Sequence, residues 1–176
     1  MNIDSRGQSR DGILIVGHGT RHEAGLQELR ELAQKVADLE PNSLVQSCFL
    51  ELSPPTIAEA VESMVGLGVR RLIVAPIMLL SAGHVQVDIP QEVAAAVREF
   101  PQLNVWIAGH LGCHEKMIEL SNLRFAEALG DRTDKASNPL LLMIGRGSHD
   151  AGALAEMRQF TSLCVSQRKV ADSRIG

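Results

Sequence analysis

The chain reads as an α/β protein with a mainly parallel central sheet covered by helices on both faces. Three observations predict this. Short apolar runs alternate with stretches of helical spacing along the 176 residues, which is the pattern of βαβ units. The run from Gly12 to Val16 is apolar without interruption, as in a strand buried on both faces. A strand, glycine turn and helix pattern occurs twice, at Ile13-Leu14-Ile15-Val16-Gly17-His18-Gly19-Thr20 and at Leu141-Leu142-Met143-Ile144-Gly145-Arg146-Gly147-Ser148. The two copies register 128 positions apart. Beyond the glycines, Leu26 falls on Leu154, Glu28 on Glu156, Leu29 on Met157 and Leu32 on Phe160. A repeat this long suggests a duplicated domain of which the second copy is only begun.

Each element follows from local composition. Met1 to Asp11 is polar and reads as a flexible N-terminus. Gly12 to Val16 is a short buried strand. From His22 to Leu39, Leu26, Leu29, Leu32, Ala33 and Val36 recur at helical spacing. Pro41-Asn42 punctuates, and Leu44 to Leu50 is the second strand. Ser53-Pro54-Pro55-Thr56 signals a helix start, with Glu59 completing a capping box. That helix runs to about Leu67 and stops at Gly68. Arg71 to Leu80 is the most apolar segment and is expected to be a central strand; Ser81-Ala82-Gly83-His84 follows as a loop. Asp88-Ile89-Pro90 opens a helix to about Phe100, with Pro90 in the first turn, where its missing N–H costs little.

Pro101 turns the chain, Leu103 to Ala108 is a fourth strand, and His114 to Leu129 is a helix. Gly130 to Asn138 is polar and linker-like. Pro139 to Ile144 is a strand, Asp150 to Val165 a helix, and nothing is signalled from Gln167 on. The expected organisation is a flexible segment at 1–11, a domain at 12–130, a linker at 131–138 and the beginning of a second repeat at 139–176, with one strand and one helix. A strand as apolar as Leu140 to Ile144 needs burial, so it is expected to pack on a sheet, its own or a partner's.

Composition narrows the function. The chain is 45% hydrophobic and 22% charged, ordinary for a globular protein. A net charge of −4 with no basic stripe argues against nucleic acid. Four Phe, one Trp and no Tyr leave little for base stacking. Cys48, Cys113 and Cys164 are scattered and form no CxxC, so neither a disulfide framework nor a thiolate zinc site is indicated. No run approaches the ~18–20 apolar residues of a membrane span, and the polar start lacks a signal-peptide core. A cytoplasmic location is the default expectation.

In a parallel sheet, ligands bind beyond the carboxyl ends of the strands. That rule selects three loops, at Gly17–Arg21, Glu51–Pro55 and Ser81–Asp88. His18 stands between two glycines that permit close backbone approach. It reads equally as a functional histidine or as incidental to a phosphate-binding turn, although a full GxGxxG and the P-loop lysine are both absent. His84 follows the most apolar strand and reads alone as a loop histidine. Together, two imidazoles at one rim are suited to sharing a metal or moving protons. Glu51 ends the second strand at the same rim, as a surface carboxylate or as a proton acceptor and metal ligand. Two histidines and a carboxylate suit cobalt, iron, nickel or zinc. His110 and His114 are four apart, but Gly112 between them argues against one helical face. Arg21 reads as solvated or as a carboxylate binder, and His22 as a rim residue.

Gly17-His18-Gly19-Thr20-Arg21, Phe49-Leu50-Glu51 and the long segment from Pro76 to Pro90, with Leu111-Gly112-Cys113-His114 beyond, resemble the sirohydrochlorin chelatases. These are the class II, ATP-independent cobalt- or ferrochelatases of cobalamin and siroheme biosynthesis. The resemblance covers roughly Ile13 to Leu129 and is most specific from Pro76 to Pro90. It implies a chelatase-like three-layer fold, His18 and His84 as the metal-binding and proton-accepting pair, and Glu51 as a further catalytic group. It implies sirohydrochlorin as the small-molecule partner, a divalent metal substrate (Co2+ or Fe2+, with Ni2+ open), and no ATP or organic cofactor. No nucleic-acid or membrane partner is implied, and a homodimer is open. Two departures stand out: His22 replaces an acidic residue usual in the family, and Gly145-Arg146-Gly147-Ser148-His149-Asp150 looks like the second half of the long, two-domain members. Three accounts of the length stay open: an engineered fragment, a natural truncation, or a compact form whose tail completes the first sheet. If the second half were complete, Arg146 would be a candidate for holding substrate carboxylates.

Metal insertion into sirohydrochlorin is the leading reading. A metal or tetrapyrrole carrier without turnover is the second. A generic phosphate- or nucleotide-binding domain, resting on the glycine turn alone, is the third.

Overall fold

A computed structural model describes residues 10–80, 83–130, 140–145, 149–167 and 172–175. Its elements are β1 (Arg10–Gly17), α1 (Glu23–Leu39), β2 (Ser43–Phe49), α2 (Ile57–Gly66), β3 (Val69–Pro76), a π-helical turn (His84–Asp88), α3 (Ile89–Val97), β4 (Asn104–Ile107), α4 (Glu115–Leu129), β5 (Leu140–Met143), α5 (Ala151–Ser166) and β6 (Asp172–Ile175). They fall into two compact units, Met1–Met78 with Gly83–His110, and Leu79–Ala82 with Leu111–Gly176.

The first unit is built on a four-stranded sheet of order β2-β1-β3-β4, all pairs parallel. Side-chain alternation divides its two faces. Leu14, Val16, Leu72 and Val74 point one way and form the main core with Ile57, Ala60, Val61 and Met64 of α2 and Ile89 and Val93 of α3. The opposite face meets α1, whose Leu29 fills the space beside Gly17. This is the expected α/β arrangement with helices on both faces. On that second face Ile13, Ile73 and Trp106 stand side by side in register. Ile73 is 46% and Trp106 56% exposed, so α1 covers the β1–β2 part of the face and leaves the β3–β4 part open.

Several boundaries differ from the expectation. Arg10 and Asp11 belong to β1 rather than to a flexible segment. Pairing with β3 extends that far, and Arg71 clasps Asp11 through Nε and Nη2 at 2.6 and 2.7 Å. The most apolar strand ends at Pro76 rather than Leu80, because β1 runs out beside it at Val16↔Pro76. His84 opens a helical turn that leads into α3, where a loop was expected; Ser81 and Ala82 lie outside the described residues. α3 stops at Val97, short of Phe100, the residue that Pro101 keeps out of the helical region. The capping box is present: Glu59 N–H donates to Thr56 Oγ1 at 3.3 Å and Thr56 N–H to Glu59 Oε2 at 2.7 Å.

The second unit holds α4, β5, α5 and β6. Its small core joins Ile118 of α4 to Phe160 and Cys164 of α5, with Met143 of β5 packed against them. Asp150 caps α5 by accepting N–H groups from Gly152 and Ala153 at 2.7 and 3.1 Å. The tail contains one strand more than the single strand and helix expected. Asp172–Ile175 pairs in parallel with Leu140–Met143 in a two-stranded sheet. The polar sequence Asp-Ser-Arg before Ile175 carries no apolar signal, so the strand is set by pairing rather than by composition. The linker expected at 131–138 lies outside the described residues.

Candidate functional site

β1 and β2 are neighbours, and both end at the carboxyl rim of the sheet. Gly17 pairs with Phe49, so the residues that follow each strand emerge together. Backbone bonds carry the pairing past the strand ends: Leu50 N–H donates to Gly17 O at 2.9 Å, and Glu51 N–H to His18 O at 3.1 Å. The result places His18 Nδ1 3.3 Å from Glu51 Oε1. Their side chains are 35% and 46% exposed, so the pair is within reach of a ligand. A carboxylate at this distance orients the imidazole towards the rim.

Gly19 is indispensable to this approach. Its φ is 101°, and a Cβ there would stand 1.8 Å from the Glu51 carbonyl oxygen. The Glu51 loop is therefore seated in the space that a side chain would occupy. Gly17 is different: a Cβ there would meet the end of the Leu29 side chain at 2.6 Å, not backbone.

The structure thus brings together two of the three residues singled out at the rim. The third, His84, begins the π-helical turn after β3, and its side chain lies outside the described residues. Among the described residues, no three His, Cys, Asp or Glu side chains form a metal cage. Arg21 and His22 are exposed, and the His22 N–H donates to Thr20 Oγ1 at 3.2 Å. His110 belongs to the first unit and His114 to the second. His114 caps α4, its Nδ1 accepting the Lys116 N–H at 3.2 Å. Arg146 lies outside the described residues. A cavity of about 490 Å3 lies elsewhere, on the open sheet face, and is lined by Ile13, Ile73 and Trp106 among others.

Two residues that the sequence does not single out join this rim. Ser53 Oγ donates to Thr20 O at 2.7 Å and stitches the two loops together. Two serines or threonines 33 positions apart give no local pattern that announces such a bond. Cys48 is fully buried, and burial pushes its thiol up to about 12, which marks it as packing. No described helix is long and apolar enough to cross a membrane.

Comparison with known proteins adds the following. A model of the CbiX family matches residues 12–128. A sirohydrochlorin cobaltochelatase of Priestia megaterium is 29% identical over 157 residues, covering 89% of this chain and 51% of that one. A sirohydrochlorin ferrochelatase of the same organism is 28% identical over 153 residues, covering 87% and 56%. The structure of SirB from Bacillus subtilis with Fe3+ superposes with a TM-score of 0.84 at 25% identity, covering 94% of this chain and 64% of that one. The chain spans about half the length of the curated relatives it matches.

Proposed function

The chain belongs to the CbiX family, and on that premise we propose that it inserts a divalent metal, cobalt or iron, into sirohydrochlorin without ATP or an organic cofactor. The observation that carries the reading is the His18–Glu51 contact of 3.3 Å at the carboxyl rim of a parallel sheet. Insertion requires that two pyrrole N–H protons leave as one divalent cation enters, so net charge is conserved. His18, neutral on its accepting nitrogen, holds the metal on one macrocycle face and takes up a proton on delivery. Glu51 orients the imidazole. His84 completes the site as second imidazole ligand and proton acceptor. Ni2+ fits the same ligand chemistry, since imidazole and carboxylate do not separate these metals.

Residues 12–130 supply the chemistry, and 139–176 open a second repeat whose role is structural. The substrate is the small-molecule tetrapyrrole, with neither nucleic acid nor a membrane as partner, in the cytoplasm.

The test is insertion of Co2+ or Fe2+ into sirohydrochlorin, followed by the change in its absorption. Proton transfer by a positioned side chain is worth about 10²–10⁴-fold, so His18→Ala and His84→Ala are each expected to reduce turnover by at least that lower factor. Normal turnover by both variants refutes the assigned roles. Stoichiometric metal binding without insertion would select a carrier without turnover instead.

A further inference from the structure

Strain is concentrated at the joint between the His18 and Glu51 loops. The Glu51 carbonyl, seated against Gly19, also accepts the Ser53 N–H at 2.8 Å. This closes a three-residue turn around Leu52, whose φ is 67°. A γ-turn with a left-handed centre is the rare and strained form, and Leu52 gains no burial in return, being 54% exposed. Such a conformation persists only where surrounding contacts hold it. The Ser53 hydroxyl supplies one, donating to Thr20 O at 2.7 Å. Thr20 is itself fixed: its Oγ1 accepts the His22 N–H at 3.2 Å, and its methyl lies so close to Gly25 that a Cβ there would approach to 2.9 Å.

We propose that Ser53 is a positioning residue: its hydroxyl, acting through the Thr20 carbonyl, holds the strained Leu52 turn and so keeps Glu51 beside His18. The proposal rests on the reading of that pair as the metal-handling site. Without the hydroxyl, Leu52 relaxes to an ordinary φ and carries Glu51 away from His18. The fraction of molecules with the pair assembled falls, and apparent metal affinity falls in proportion.

Two measurements test it on the full chain. The first is amide hydrogen exchange in the absence of metal. Ser53→Ala is expected to speed exchange of the Glu51 N–H by about fivefold, the factor one neutral hydrogen bond is worth, with the Leu14 and Val74 amides in the core unchanged. The second is titration with Co2+ alone, followed by its visible absorption. Ser53→Ala is expected to bind about fivefold more weakly, and Ser53→Thr, which keeps the hydroxyl, to recover wild-type affinity. Unchanged Glu51 exchange overturns the proposal whatever the metal shows. Faster exchange with unchanged Co2+ affinity reduces Ser53 to a structural role and overturns it too. A wild-type chain that binds no Co2+ refutes the functional reading instead, and the positioning role with it.

Discussion

Replacing Gly19 with alanine tests the architecture of the rim most directly. The added Cβ would lie 1.8 Å from the Glu51 carbonyl oxygen, and the neighbour is backbone that no rotamer change can move. Reaching the 3.0 Å below which real Cβ contacts essentially never fall requires the carbonyl to retreat by about 1.2 Å (3.0 less 1.8). That retreat disrupts two bonds, Glu51 N–H to His18 O and Ser53 N–H to Glu51 O. Each contributes about 1 kcal/mol net. Holding alanine at the positive φ of residue 19 costs roughly 1–2 kcal/mol more. The total is about 3–4 kcal/mol, which at roughly 2–4 °C per kcal/mol for a chain of this size lowers Tm by about 10 °C. Turnover is expected to fall about 100-fold, the usual cost of a displacement near 1 Å. Circular dichroism melting and the insertion assay read both effects. Gly17→Ala is the control, because its Cβ meets only the mobile end of Leu29, and a loss of about 1 kcal/mol is expected there. A Gly19→Ala protein that melts and turns over like wild type would show that the Glu51 loop is not seated against Gly19, and would refute the reasoning.

Other perturbations have equally definite outcomes. Thr56→Ala removes the capping hydroxyl of α2 and should lower stability by about 1 kcal/mol in urea unfolding, with the denaturant slope unchanged. Cys48, whose thiol is held near 12 against 9.0 for a free thiol, keeps its proton in the folded state above pH 9, where the unfolded chain loses it. The unfolded state then binds fewer protons, so stability must fall as pH rises from 9 towards 12. Cys48→Val should flatten that alkaline slope in denaturant titrations; an unchanged slope would assign it to other groups. Native Cys48 should also resist alkylation at neutral pH in a thiol-labelling assay, reacting only after unfolding.

Much of the fold was legible because its signals are local. Continuous apolar runs marked β1 and β3, helical spacing marked α1, and Thr56 with Glu59 marked the start of α2. Those signals depend on residues a few positions apart, which is the range over which burial and capping act. β6 escaped for the converse reason: Asp172-Ser173-Arg174 is polar, and only pairing with Leu140–Met143 makes it a strand. The end of β3 was likewise set by its neighbour, since an apolar segment cannot remain a strand beyond the edge that bonds it.

The site divides in the same way. From residue type and the carboxyl-end rule, the sequence by itself determined that His18, Glu51 and His84 follow three strands of one parallel sheet, and the order of their motifs determined the family. It could not distinguish the two glycines around His18, which look alike in one dimension. Only the tertiary structure decided that Gly17 borders a movable leucine while Gly19 admits a backbone carbonyl, and that Ser53 reaches back 33 residues to bond Thr20. The physical reason is that steric exclusion and hydrogen bonding act over a few ångströms of space, and the chain positions that share this space are chosen by the packing of β1 against β2.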